Sequence, residues 1–190
     1  MKLDKSGIFG KSKTARVPMT EKSAWVRKQS SADATSLKHF FSKLSPLALY
    51  YRFMSPLTNV PPHIFELLCD LDPQRHVSFV VEGINDDGPA VIGEGRYVRD
   101  DGTETRAEFA LSIAEGWRGQ RLASTLITQL EQHAQANDIH TFWAEVLVEN
   151  APMLSLARKF GYDVTPDRND PRCKIVSKHI SVSARTKKAA

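Results

Sequence analysis

Hydrophobic positions recur along this chain with two different periods, and the switch between them separates a helical front segment from a sheet-forming body. After a short strand over 24–28, Asp33 can cap a helix over 33–43. Leu37, Phe40, Phe41 and Leu44 then fall on one side of it, a side that must be buried. Ser45-Pro46 has the N-cap and N1 order of a new helix start, and that helix ends before Ser55-Pro56. A third helix covers 62–69. From His76 the period becomes two: strands over 77–82 and 90–97 flank the turn formers Asn85-Asp86-Asp87-Gly88-Pro89, which gives an antiparallel hairpin. The turn Asp100-Asp101-Gly102 leads into a third strand over 105–113, where Ala107, Phe109, Leu111 and Ile113 alternate with Arg106, Glu108, Ala110 and Ser112. Helical spacing returns over 120–137, with Leu122, Leu126, Ile127, Leu130 and Ala134 in one stripe. A strand over 141–148, a helix over 152–160 stopped by Gly161, and a final strand over 174–182 complete the pattern.

At 190 residues the chain suits one domain, with 23–182 as its body, 1–22 as a flexible basic N-terminal tail and 183–190 as a basic C-terminal tail. Its 41% hydrophobic content supports a core, and no apolar run approaches the roughly 20 residues that cross a bilayer. Met1–Gly10 also lacks a secretory apolar stretch, so the expectation is a soluble cytoplasmic protein. Charge is unevenly divided: residues 1–22 and 172–190 carry net +4 and +6, whereas 23–171 holds 14 basic and 20 acidic groups, net −6. The body is therefore acidic, and nucleic acid is not an expected partner. Cys69 and Cys173 read as ordinary thiols, and six scattered histidines show no paired ligand spacing, so no metal is expected.

Candidate chemistry is concentrated in Leu111-Ser112-Ile113-Ala114-Glu115-Gly116-Trp117-Arg118-Gly119-Gln120-Arg121-Leu122-Ala123-Ser124, a strand–turn–helix passage. The first turn of a helix has backbone N–H groups without internal partners, and the helix dipole adds positive charge. Such a turn can hold a diphosphate through main-chain donors, with Arg118 and Arg121 adding cations. The passage is neither a Walker A loop nor a dinucleotide fingerprint.

Arg118-Gly119-Gln120-Arg121-Leu122-Ala123 resembles the acetyl-coenzyme A signature of the GCN5-related N-acetyltransferase family, Arg/Gln-x-x-Gly-x-Gly/Ala, with Arg121 at the usual middle glycine. The strand 142–148, Glu149-Asn150 and Met153–Tyr162 resemble the block that follows it. Leu37–Ser45 and Tyr50-Tyr51-Arg52-Phe53 are similar to the entry helices of bacterial Pat-type protein lysine acetyltransferases. The resemblance, over about 23–165, implies an α/β fold: a mixed, mainly antiparallel sheet with helices on both faces.

It also implies acyl transfer from acetyl-CoA to a primary amine by direct attack. An alkylammonium of pKa about 10.4 must first lose a proton, which calls for a base. Glu108 is the first candidate and Glu145 the second. The resemblance places the pantetheine arm against the backbone of Leu111, Ser112 and Ile113, with a Leu111 N–H available to the thioester carbonyl. The diphosphate falls over Gly119, Gln120, Arg121, Leu122, Ala123 and Ser124, near Arg118. Asn150 either binds pantetheine or caps the following helix. Where many relatives have a proton-donating tyrosine this chain has Ala157, so no general acid carries over. The rings of 40–53 read mainly as core, some of them walling the amine pocket. The implied acceptor is a protein lysine; a small amine or polyamine, or a non-catalytic acyl-CoA sensor, are the alternatives.

Overall fold

The computed structural model describes residues 15–17, 23–72, 75–85 and 88–180. The stretches read as basic tails, 1–22 and 183–190, lie outside these residues, apart from Ala15–Val17. The sheet has eight strands: β1 (Ala15–Val17), β2 (Ala24–Lys28), β3 (His76–Asn85), β4 (Gly88–Arg99), β5 (Arg106–Ile113), β6 (Thr141–Leu147), β7 (Asp163–Pro166) and β8 (Cys173–His179), ordered β1-β2-β3-β4-β5-β6-β8-β7. Every pairing is antiparallel except β5 with β6, which run parallel with α4 (Leu122–Ala136) between them in sequence. This is the mixed, mainly antiparallel sheet that the family resemblance implied.

The buried stripes anchor one helical layer to each face. Leu122, Leu126, Ile127, Leu130 and Ala134 of α4 are each at most 1% exposed and join Ala107, Phe109 and Ile113 of β5 in the larger core. α5 (Ala151–Lys159) adds Leu154 and Ala157 to the same core. On the opposite face α1 (Ala34–Ser42), α2 (Pro46–Phe53) and α3 (Pro62–Cys69) pack Leu37, Phe40, Phe41, Leu49 and Leu68 against Val80 and Val91. Each fully buried side chain of this size contributes about 1.5–3 kcal/mol, so the two stripes fix which face each helix takes.

Local signals act mostly where the sequence put them. Ser45 caps α2, its Oγ accepting from the Ala48 N–H at 3.1 Å with Pro46 next in line, and Gly161 takes the left-handed conformation (φ 78°) beyond α5. Asp33 differs. It does not cap α1 from in front. Its Oδ2 accepts from the Ser30 N–H at 2.7 Å and the Ser30 hydroxyl at 3.0 Å, closing a 3-10 turn (Ser31–Asp33) upstream of the helix. The Arg27 guanidinium holds it there with two further bonds at 2.8 and 2.6 Å. α4 begins at Leu122 rather than at 120, because Arg121 just before it is left-handed. β8 ends at His179; 181–182 lie outside the described residues. Two short strands, β1 and β7, were not expected.

Candidate active site

β5 and β6 pair only as far as Glu108 with Trp143. Beyond that point β5 continues to Ile113 and β6 to Leu147 without each other, so the sheet opens between them. Antiparallel pairing alternates, and the bonds Asp100 N–H to Arg106 O (3.0 Å) and Ala114 N–H to Ile92 O (2.8 Å) set its phase on β5. With the β4–β5 register, Glu108, Ala110 and Ser112 turn their main-chain groups to β4. Those of Leu111 and Ile113 turn the other way, toward a β6 that has already departed. The opening is a cleft of about 440 Å³ whose walls are β5, β6, α2, α5 and the passage into α4.

One end of the cleft is built of main-chain donors. Gly119 (φ 79°) and Arg121 (φ 60°) both take left-handed torsions, which turns the chain sharply before α4. The first intrahelical bond runs from Thr125 N–H to Arg121 O at 3.0 Å, so the N–H groups of Leu122, Ala123 and Ser124 have no partner within the helix. All three residues line the cleft, as do Arg118, Gly119 and Arg121; Arg118 and Arg121 are exposed. Gln120 does not line it, and its Oε1 is buried without a partner among the described residues. Ser45 ties this passage to the front helices: its hydroxyl donates to Glu115 Oε1 at 2.6 Å and its N–H at 3.2 Å. Burial pushes the Glu115 carboxyl up, but the Ser45 bonds, its own backbone N–H and Arg118 together outweigh it and the net direction is down.

Carboxylates occupy the other end. Cross-strand partners share a face, so Glu108 stands on the face of Glu94 and Arg96 of β4, Trp143 and Glu145 of β6, and α2 above them. Partial burial raises the Glu108 carboxyl above its ordinary value; Glu145 and Asp100 raise it further, and Arg52 pulls it down. Glu108 still keeps an exposed edge on the open cleft. A carboxylate poised upward from its ordinary range is chemically suited to accept a proton near neutrality.

The cleft thus gathers Glu108, Glu145, Leu111, Ser112, Ile113, Arg118, Gly119, Arg121, Leu122, Ala123, Ser124 and Asn150. Asn150 Oδ1 accepts from Met153 N–H at 3.3 Å, so it caps α5 while standing on the cleft wall, and both earlier readings of it remain compatible. Ala157 is fully buried in the core and does not line the cleft; Met153 and Leu156 are the α5 side chains that do. Sequence reasoning missed Arg52 and Trp117, and left Tyr51 among rings that wall the pocket. Ala48, Tyr51 and Arg52 share one face of α2 at i, i+3 and i+4, a signal readable only once that face is known to meet the sheet. Tyr51 Oη crosses the cleft to donate to Glu149 O at 3.2 Å.

The model of the acetyltransferase (GNAT) family matches residues 47–162, more than half of the chain and all of the cleft. The chain belongs to the GNAT acetyltransferase family. A curated relative of this acetyltransferase, Acetyltransferase Pat of Mycolicibacterium smegmatis, is 30% identical over 120 residues, 63% of this chain and 35% of that protein. The chain thus spans about a third of that relative's length. Among solved structures, the GNAT domain of S. lividans PAT matches with a TM-score of 0.76 at 22% identity, covering 87% of this chain and 96% of that one. The structure of yncA from Salmonella typhimurium with its cofactor acetyl-CoA matches with a TM-score of 0.64 at 15% identity, covering 86% and 98%. At such identities these two likenesses establish the fold.

Acetyl-CoA is the acyl donor of this family, and the cleft fits such a donor in three respects. It offers a main-chain edge at Leu111 and Ile113 and helix-start donors beside two arginines, both without partners among the described residues, and an apolar wall of Met153, Leu156 and Trp117.

Proposed function

We propose that this acetyltransferase moves an acetyl group from acetyl-CoA to a primary amine by direct attack, and that the amine is a protein lysine. The observation carrying the reading is the parting of β5 and β6: it exposes the Leu111 and Ile113 backbone at the point where Glu108 stands. When bound, acetyl-CoA supplies a thioester carbonyl open to nucleophiles. Glu108 accepts the ammonium proton, directly or through a water, and leaves a neutral amine to attack. Glu145 lines the same end and adds negative charge that favours a cationic acceptor. The Leu111 N–H is the donor for the acyl oxygen. Leu122, Ala123 and Ser124 N–H groups, with Gly119, Arg118 and Arg121 around them, take the diphosphate, and Asn150 borders the pantetheine path. Since α5 presents Met153 and Leu156 rather than a tyrosine, the thiol, of pKa about 8.5, departs without a side-chain acid from that helix.

The lysine acceptor is supported by the similarity to Acetyltransferase Pat and by the acidic body of the chain. A thiol-release screen over lysine-bearing proteins, amino acids, aminoglycosides and polyamines tests it. Release with protein acceptors upholds the reading, whereas release with small amines or polyamines alone replaces the acceptor. Coenzyme binding without release from any acceptor would leave a non-catalytic acyl-CoA sensor.

A further inference from the structure

Glu94 of β4 is fully buried, and two guanidinium groups meet its carboxylate. Arg96 Nε of the same strand donates to its Oε1, and Arg52 Nη2 of α2 donates to its Oε2 at 3.4 Å. Burial pushes Glu94 up, but the two arginines outweigh it and hold it below the usual carboxylate range. The groups behind Arg96 add no charge at neutral pH. Burial pushes the Cys69 thiol up, and burial together with Arg96 holds down His76, whose Nε2 meets Arg96 Nη1 at 2.8 Å. Guanidinium groups keep their charge at any working pH. Two cations therefore share one anion, and the excess positive charge sits in protein, where an anion placed beside it is held far more strongly than in water.

Of the two arginines, Arg52 is the one on the cleft wall, with its side chain only 9% exposed and its Nε buried without a partner among the described residues. The strand register says where along β5 it stands. Glu94 is the cross-strand partner of Ser112, and Ser112 lies between Leu111 and Ile113, the residues whose main chain faces the cleft. Glu108 is four residues back along β5, or about 13 Å of strand. The other titratable groups on the cleft are Tyr51 of α2, whose Oη donates to Glu149 O, Glu108 of β5, Glu145 of β6, and Arg118 and Arg121 before α4; α5 presents only Pro152, Met153 and Leu156. Arg52 is thus the cation beside the middle of the cleft, between the carboxylate end and the helix-start donors.

We propose that Arg52 is a catalytic residue whose guanidinium, fastened from behind by Glu94, stabilises the thiolate that leaves when the acyl group is transferred. The proposal rests on the acyl-transfer reading of this cleft, with the acyl oxygen at the Leu111 N–H. In that reaction the C–N bond forms and the C–S bond breaks. The ammonium nitrogen gives one proton to Glu108 before attack and a second to solvent after it, and the sulfur leaves with its electron pair. No side chain of α5 can protonate that sulfur, so a fixed cation lowers the energy of the anion instead, and the thiolate takes its proton from water on release.

The test titrates the thiol of bound CoA in the full chain by the ultraviolet absorbance of its thiolate, with the desulfo-CoA complex subtracted to remove the protein's own cysteines. In Arg52→Met the bound thiol should titrate about one pH unit or more above its wild-type value, and in Arg52→Lys most of that difference should vanish. With acetyl-CoA as donor, kcat in Arg52→Met should fall about tenfold or more while calorimetric acetyl-CoA affinity stays within about twofold. An unmoved thiol titration in folded Arg52→Met overturns the proposal in favour of a purely structural role. An unmoved titration accompanied by a selective loss of succinyl-CoA affinity also overturns it, and gives the cation to a carboxylate on the acyl chain. If Arg52→Met fails to fold, Arg52→Gln, which keeps a donor for Glu94 and loses the charge, carries the same outcomes. A wild-type chain that binds neither CoA nor acetyl-CoA would instead overturn the coenzyme reading, whatever Arg52 does.

Discussion

Arg121 occupies a torsion, φ 60° and ψ 8°, that a side chain with a Cβ adopts at a cost of about 1 kcal/mol, which gives glycine a conformational reason to stand at this point of the motif. Replacing it with glycine removes that strain but also frees the unfolded chain, and the two effects nearly cancel. Arg121→Gly should therefore change the free energy of urea unfolding by no more than about 0.5 kcal/mol. Its effect should fall on the coenzyme: affinity drops several-fold at low salt and the deficit shrinks at high salt, as calorimetry at two ionic strengths would show. Glu108 gives the opposite split. Glu108→Gln should lower kcat by about a hundredfold or more while acetyl-CoA affinity holds within about twofold. Because its pKa is raised in the fold, the wild-type acid limb should lie above the ordinary carboxylate range of about 4.3, and it should disappear in the variant.

At the scale of elements, the cleft depends on β5 being held from the β4 side while β6 leaves. Gly93 is where that hold is tightest: a Cβ there would meet Ile113 Cδ1 at 2.6 Å and Ser112 O at 3.1 Å. Gly93 pairs with Ile113, so the strain would pass directly into the free edge of β5. Gly93→Ala should cost about 1–3 kcal/mol by chemical unfolding and also weaken acetyl-CoA binding. Both effects are expected together, since the same side chain packs the core and carries the edge. A bulky residue at Ala123, on the cleft side of the first turn of α4, tests the helix-start donors. Ala123→Trp should reduce coenzyme affinity more than tenfold in calorimetry with little change in the unfolding midpoint, because Ala123 is only partly buried.

For the molecule as a whole, the front helices are clasped to the sheet by charge as well as by apolar burial. Arg27 of β2 binds Asp33 and also Glu82 of β3, and this holds the Asp33 carboxyl down to about 2. The folded pKa lies below the unfolded value near 3.9, so the pair stabilises fully above about pH 4 and loses its contribution as pH falls toward 2. With Arg27 partly exposed, the contribution is on the order of 1–2 kcal/mol. Urea unfolding of Asp33→Asn should accordingly show a shallower decline of stability between pH 4 and 2 than the parent chain.

Periodicity by itself determined the segments that bury a continuous stripe. The α4 stripe, the alternation along β5 and the apolar side of α1 each require one face to leave water, and a one-position error would have put charge into the core. The order of elements, the Ser45-Pro46 start and the Gly161 stop followed from local torsion and capping preferences for the same reason: their physics is contained within a few consecutive residues. β1 and β7 escaped because a strand of three or four residues has no alternation to read, and each is defined by its neighbour, β2 or β8. Arg52 escaped because its meaning comes from Glu94, distant in sequence, and from the face of α2 that meets β4 and β5. Where β6 parts from β5, and hence which backbone groups are left free beside which carboxylate, is a matter of strand direction and sheet closure. No single stretch of sequence contains those long-range contacts, so the tertiary structure alone decided them.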